Sequence, residues 1–275
     1  MSASNPTKAY NDIDFLNSPD ARTIRLLAEY LEPQRRLRQN RVKDTIVFFG
    51  SARLQAAESA RAEKQEVIET IQQSRNAKTP KHLLDQLQKA ETMIEMSRYY
   101  EDAVELSRML SEWSLSLNKQ RFVICSGGGP GIMEAANRGA HIAGAKSIGL
   151  NISLPFEQYA NPYIPPELNF EFHYFFMRKF WFVYPAKALV VFPGGFGTMD
   201  EMMEVLTLVQ TEKLRKQVFI VLYGGDFWNS IINFGELARK GVISQDDLLL
   251  FKICNTPKEA FNYLKRKLTE RYLNE

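Results

Sequence analysis

Apolar and polar positions follow two rhythms along this chain. From Arg121 onward, short and almost wholly apolar runs alternate with segments whose apolar residues recur at helical spacing. The runs Phe122–Cys125, Ser147–Ile152, Ala188–Phe192, Val218–Leu222 and Phe251–Ile253 predict strands, and Thr45–Phe49 predicts one further upstream. Gly131–Ala143, Arg178–Tyr184, Thr198–Thr211, Phe227–Lys240 and Pro257–Tyr272 predict helices. Strands this apolar on both faces, alternating with helices, imply a parallel sheet covered on both sides. That is an α/β fold, doubly wound and Rossmann-like, which takes its ligands at the carboxyl ends of the strands near a switch in strand order.

The earlier rhythm is helical. The chain reads as polar and loose up to Asn17. Ser18-Pro19 then reads as a helix start, followed by Ile24, Leu27, Ala28 and Leu31 at helical spacing. Arg35, Arg36, Arg38, Arg41 and Lys43 close this arm as a basic run, read as a solvated helix face in preference to an RNA or phosphate patch. Between Leu54 and Asn118 there is no glycine, and Leu83, Leu87, Ala90 and Ile94 keep helical spacing. Two long helices are expected there, the second starting at Pro80, more than a plain strand–helix unit requires. The expected organisation is an N-terminal helical arm over 1–44 and a Rossmann-like domain over 45–275 with a helical insertion about 55–100.

Composition narrows the setting. The 275 residues are 45% hydrophobic, ample for a core, and 35 basic against 32 acidic side chains leave +3, too little to argue for nucleic acid. No apolar run nears the roughly 18 residues of a spanning helix. The N-terminal segment lacks the basic and apolar stretches of a signal peptide. Cys125 and Cys254 fall near strand ends and are expected as buried thiols. These readings together point to a cytoplasmic protein with no membrane or nucleic-acid partner.

The candidate chemistry lies in three glycine-rich turns, each after a predicted strand: Gly50-Ser51, Ser126–Gly131 (SGGGPG) and Pro193–Thr198 (PGGFGT). Glycine lets backbone approach a ligand closely, and unpaired N–H groups at the next helix start attract an anion. Any one such turn is explained by turn-making alone; three on one sheet edge point to an anion site. The pattern departs from the dinucleotide fingerprint, since Ile132 stands where the third glycine belongs and the next strand ends in Asn151, not an acid. No G-K-[ST] occurs either, so a mononucleotide fits better than intact NAD or ATP, and no cofactor is expected.

Thr198 and Glu201 match a capping box as well as they match a functional carboxylate. Glu201 and Glu204 share a helical face, and Asp200 adds to an acidic crowd that needs a cation or a polar ligand beside it. Arg178, in the run Phe175–Lys179, reads equally as an anion clamp and as an exposed helix arginine. His82, His141 and His173 have no metal-ligand spacing, so no metal is expected.

Pro193–Glu201 (PGGFGTMDE) matches P-G-G-x-G-T-x-x-E, and with it SGGGPGIMEAANRG at Ser126–Gly139, LPFEQ at Leu154–Gln158 and Phe176–Lys179 resemble the LOG ("lonely guy") family. These are cytokinin riboside 5′-monophosphate phosphoribohydrolases, formerly labelled lysine decarboxylases; the chain resembles the longer bacterial members over Thr45–Leu54 and Phe122–Tyr272. The resemblance implies a hydrolase that cleaves the N-glycosidic bond of a nucleoside 5′-monophosphate, with Glu201 and Arg178 as the catalytic pair. It also implies a nucleotide site built from Gly50, Ser51, Gly128, Gly129, Met133, Lys179, Gly194, Gly195, Gly197, Thr198 and Glu204, in a homodimer or larger homo-oligomer. A broader purine or pyrimidine nucleotide nucleosidase, a non-catalytic nucleotide-binding regulator, and a pyridoxal-phosphate decarboxylase using Lys179 or Lys187 are the competing readings.

Overall fold

The computed structural model describes residues 6–73, 80–117, 121–154 and 159–274. Among them, β1 (Thr45–Phe49), β2 (Val123–Ser126), β3 (Ser147–Ile152), β4 (Asn169–Phe172), β5 (Ala186–Val191), β6 (Phe219–Tyr223) and β7 (Phe251–Cys254) form one sheet. The order is β4-β3-β2-β1-β5-β6-β7, and every pairing is parallel. The chain winds outward from β1 to β4, returns to the other side of β1, and winds outward again. The switch in strand order therefore lies between β1 and β5.

Alternate side chains of each strand serve two cores. Ile46, Phe48, Ile124, Val190, Phe192 and Val221 face one layer. That layer is built by α4 (Lys81–Leu115), α5 (Ile132–Ile142) and α10 (Pro257–Tyr272). Val47, Phe49, Cys125, Leu150, Val191 and Leu222 face the other. Against them pack α2 (Arg22–Gln39), α6 (Phe175–Val183), α7 (Phe196–Gln210), α8 (Gly225–Ile231) and α9 (Phe234–Arg239). Burial on both faces is why these strands read as unbroken apolar runs. The two cysteines are free and buried as expected, and burial pushes both thiols well above their ordinary range.

Several sequence expectations need correction. The segment before Asn17 is not loose throughout: α1 (Ile13–Asn17) is capped by Asp12, which accepts the Phe15 N–H at 2.9 Å. Ser18 does not cap a helix; its hydroxyl donates back to the Phe15 carbonyl, and Pro19 opens a 3-10 turn that runs into α2. Ile24, Leu27 and Leu31 are about half exposed instead of core-facing. The face of α2 that packs is the one carrying Glu29, Tyr30 and Leu37. Strand β4 was not expected: Phe170 and Phe172 are buried while Glu171 between them is exposed, the pattern of a short edge strand. The helix expected over Phe227–Lys240 is two, because Asn233 interrupts it and caps α9 through the Glu236 N–H at 2.9 Å. The two long helices before Asn118 are present as α3 (Ala57–Gln73) and α4, tied by a Lys64–Glu91 ion pair of 2.9 Å.

No helix among the described residues is long and apolar enough to cross a membrane.

Candidate active site

The three glycine-rich turns follow β1, β2 and β5, which are neighbours in the sheet. They open together on a cleft of about 610 Å³ at the carboxyl ends of these strands. Gly50, Ser51, Met133, Arg178, Lys179, Gly195, Gly197, Thr198 and Glu201 all line it. So do Ala52, Arg53, Gly127, Phe175 and Phe196, which sequence reasoning did not single out.

Its floor is the start of α7. Gly195 occupies the N-cap position without a side-chain cap, and Met199 makes the first backbone bond, to the Gly195 carbonyl at 3.0 Å. The N–H groups of Phe196, Gly197 and Thr198 therefore have no acceptor among the described residues, the arrangement that seats an anion. Because α7 begins at Phe196, Thr198 is its third residue and not its cap. The capping-box alternative for Glu201 is thereby excluded. Gly194 does not line the cleft; a Cβ there would meet the Thr198 Cβ at 2.6 Å, so its role is to let the turn close.

Glu201 sits one turn further along and faces Arg178, its Oε1 being 3.7 Å from Nη1. Both side chains are largely buried, at 17% and 11% exposure. Burial raises the Glu201 carboxyl to about 7, with Arg178 and then Lys179 opposing the rise and Asp200 and Glu204 adding to it. Burial also lowers the Arg178 guanidinium, against Glu201. Arg178 is far from the exposed arginine that its sequence context equally allowed. Its Nε donates to the Leu150 carbonyl at 2.7 Å, and its guanidinium lies over the Phe182 ring at 5.0 Å. These contacts fix a positive charge beside the carboxylate.

The acidic crowd has its cation. Lys179 pairs with Asp200 at 2.7 Å and Glu204 at 3.0 Å. Burial alone would lower this ammonium, but the two carboxylates hold it above its ordinary range. Glu204 thus lies on Lys179, outside the cleft lining.

Gly128 and Gly129 also lie behind the cleft wall. Gly128 has φ +78°, and a Cβ there would run into the Asn151 side chain. Asn161 Nδ2 donates to both carbonyls, at 3.0 and 3.1 Å, and to Asn137 Oδ1 at 2.9 Å. Ser126 and Ser147 complete this buried polar network through Asn137. Sequence reasoning missed Asn137 and Asn161, since nothing local distinguishes a loop-bracing asparagine from an exposed one. Of the LPFEQ run, Leu154 lines the cleft, and residues 155–158 lie outside the described residues.

The helix carrying Arg178 is seated by the N-terminal arm. The Glu29 carboxylate accepts the His173 and Tyr174 N–H groups at 2.8 and 3.2 Å, just before α6, and the Glu29 carbonyl accepts Trp181 Nε1 at 2.9 Å.

The family model described as possible lysine decarboxylase matches residues 133–264. The cytokinin riboside 5′-monophosphate phosphoribohydrolase LOG of Oryza sativa subsp. japonica is 27% identical over 175 residues, 62% of this chain and 68% of that protein. The homologous LOG7 of Arabidopsis thaliana is 28% identical over 149 residues, 53% of this chain and 64% of its own length. Among solved structures, the Moco carrier protein from Chlamydomonas reinhardtii is 16% identical, with a TM-score of 0.45 over 83% of this chain and 99% of that one. The PGGFGTMDE helix start and these relatives together make the chain similar to the LOG family.

Proposed function

We propose that the protein hydrolyses the N-glycosidic bond of a nucleoside 5′-monophosphate to free base and ribose 5-phosphate. The observation that carries this reading is Glu201, a buried carboxylate held at about 7 beside Arg178, one turn beyond an uncapped helix start. The phosphate is received by the N–H groups of Phe196, Gly197 and Thr198, which leaves the ribose over Glu201. As the C1′–N bond breaks, its electron pair leaves with the base and positive charge builds on the ribose. Ionised Glu201 stabilises that charge and orients the water whose oxygen forms the new bond to C1′. Arg178 stays protonated and offers its positive charge to the departing base. The water's two protons end on the sugar hydroxyl and on the base. Lys179 offsets the negative charge of Asp200 and Glu204 beside the site.

AMP and N6-substituted AMP are the proposed substrates, because Ile152, Leu154, Met133, Phe175 and Phe196 give the cleft apolar walls for an N6 substituent. The exposed Phe175 and Phe176 beside the cleft, and Ile24, Leu27 and Leu31 on the arm, support the reading of a homo-oligomer. Neither lysine suits a Schiff base. Lys179 is held by two carboxylates, and Lys187 lies near the start of β5, at the opposite end of the sheet from the cleft.

The test is incubation with AMP and with N6-isopentenyl AMP, with free base measured by chromatography. Release by wild type and its loss in Glu201→Gln are expected. No release with either nucleotide refutes hydrolysis, and tight calorimetric binding without release marks a carrier or sensor instead.

A further inference from the structure

A second cavity, of about 600 Å³, lies at the other end of the sheet, between the end of α2, the end of α6 and the start of β5. Arg38, Arg41, Lys43 and Lys187 line it with Trp181, Tyr184 and Pro185, and no acidic residue does. Arg38, Arg41 and Lys43 form no salt bridge with any described residue. The carboxylate that Lys187 feels, Asp44, is already held by Arg121 at 2.6 Å and by the Phe122 N–H at 2.6 Å. Burial lowers the Lys187 ammonium, and Arg121, Lys43 and Arg271 add to this against Asp44. At the rim, Lys216 donates to the Val183 and Tyr184 carbonyls at 2.6 and 2.5 Å.

The backbone gives a second, independent sign. Arg41 stands at φ +58°, just past the end of α2, where the Val42 N–H bonds to the Leu37 carbonyl at 2.9 Å. That left-handed position is normally filled by glycine or asparagine. Here a strained arginine brings a guanidinium to the cavity.

We propose that this cavity binds a small molecule bearing two or more linked phosphate groups, gripped by Arg38, Arg41 and Lys43 with Lys187 adding charge. Each terminal phosphate carries between one and two negative charges, so a diphosphate or triphosphate matches the cations present. Guanidinium forks suit phosphate oxygens, and Trp181 and Tyr184 offer an aromatic wall for the rest of the ligand. A recess of about 600 Å³ on a chain of net charge +3 fits a small ligand better than a nucleic-acid backbone. The site is separate from the hydrolytic cleft and does not rest on that reading.

The probe is sodium tripolyphosphate, titrated calorimetrically into the full chain at low salt, with melting followed in parallel. One saturable site that excess ribose 5-phosphate does not displace and that weakens with added salt, and a melting temperature that climbs with ligand concentration, are expected. Arg38→Gln and Arg41→Gly should each weaken binding by about tenfold or more. Arg41→Gly should melt no lower than wild type, because glycine accepts φ +58°, so a loss of binding there is not a loss of fold. Absent binding overturns the proposal. Binding that excess ribose 5-phosphate displaces and Arg41→Gly spares also overturns it, as does a short single-stranded RNA that outcompetes tripolyphosphate.

Discussion

Replacing Glu201 by glutamine should make the protein more stable at alkaline pH while removing its activity. The carboxyl titrates at about 7 in the fold against 4.5 when unfolded, chiefly because it is buried. The folded state therefore holds its proton more tightly than the unfolded state does. Between these two values stability falls as pH rises, and above 7 the ionised side chain is a fixed cost. A difference of about 2.5 pH units at 1.36 kcal/mol each makes that cost ~3 kcal/mol. Glutamine keeps the shape of the protonated acid and carries no charge to desolvate. Calorimetric melting of both proteins should then show Glu201→Gln ahead by roughly 6–12 °C near pH 8.5, for a chain of this size. The gap should narrow as pH falls through 7 and vanish near 4.5. A gap that is the same at all pH values, or a less stable variant at pH 8.5, would refute the claim that Glu201 ionises against its surroundings.

The same titration sets the rate. If ionised Glu201 acts on the ribose, kcat/KM for AMP should climb with pH and level off above an inflection near 7; a profile falling through 7 would assign the protonated form instead. Gly128→Ala should cost about 2–4 kcal/mol in urea unfolding, from left-handed strain and collision with Asn151, whereas Gly195→Ala, with open space around its Cβ, should cost under about 1 kcal/mol. Glu29→Ala should lower stability by about 1–2 kcal/mol and reduce kcat, since it strips the acceptor from two N–H groups ahead of the helix that carries Arg178.

How far the sequence reveals this molecule depends on how local each signal is. Thr45–Phe49, Ser147–Ile152 and Pro257–Tyr272 match their elements end to end, because apolar runs and a Thr-Pro helix start are complete within a few residues. Strand β4 is hidden because its Phe-Glu-Phe alternation is too short to stand out until Leu150 and Ile152 are seen beside it. Glu201 illustrates the limit best. Its neighbours in sequence allow a helix cap and a functional acid equally. Only the helix start at Phe196, two residues earlier than the threonine suggested, turns it toward Arg178. Arg178 itself is legible as a charge in an aromatic run, but its burial comes from β3 and Phe182. The bracing by Asn137 and Asn161 joins residues 24 apart and leaves no local trace.

The strand order has a consequence for how the molecule breathes. The cleft loops spring from β2, β1 and β5, the middle of the sheet, while β4 and β7 lie at its margins. Fraying begins at margins, so the outer strands can part from the sheet and return without dismantling the loops that form the cleft. Backbone amides of β1 and β5 should accordingly exchange with solvent only through global unfolding, and the geometry of the cleft should outlast substantial loosening at either rim.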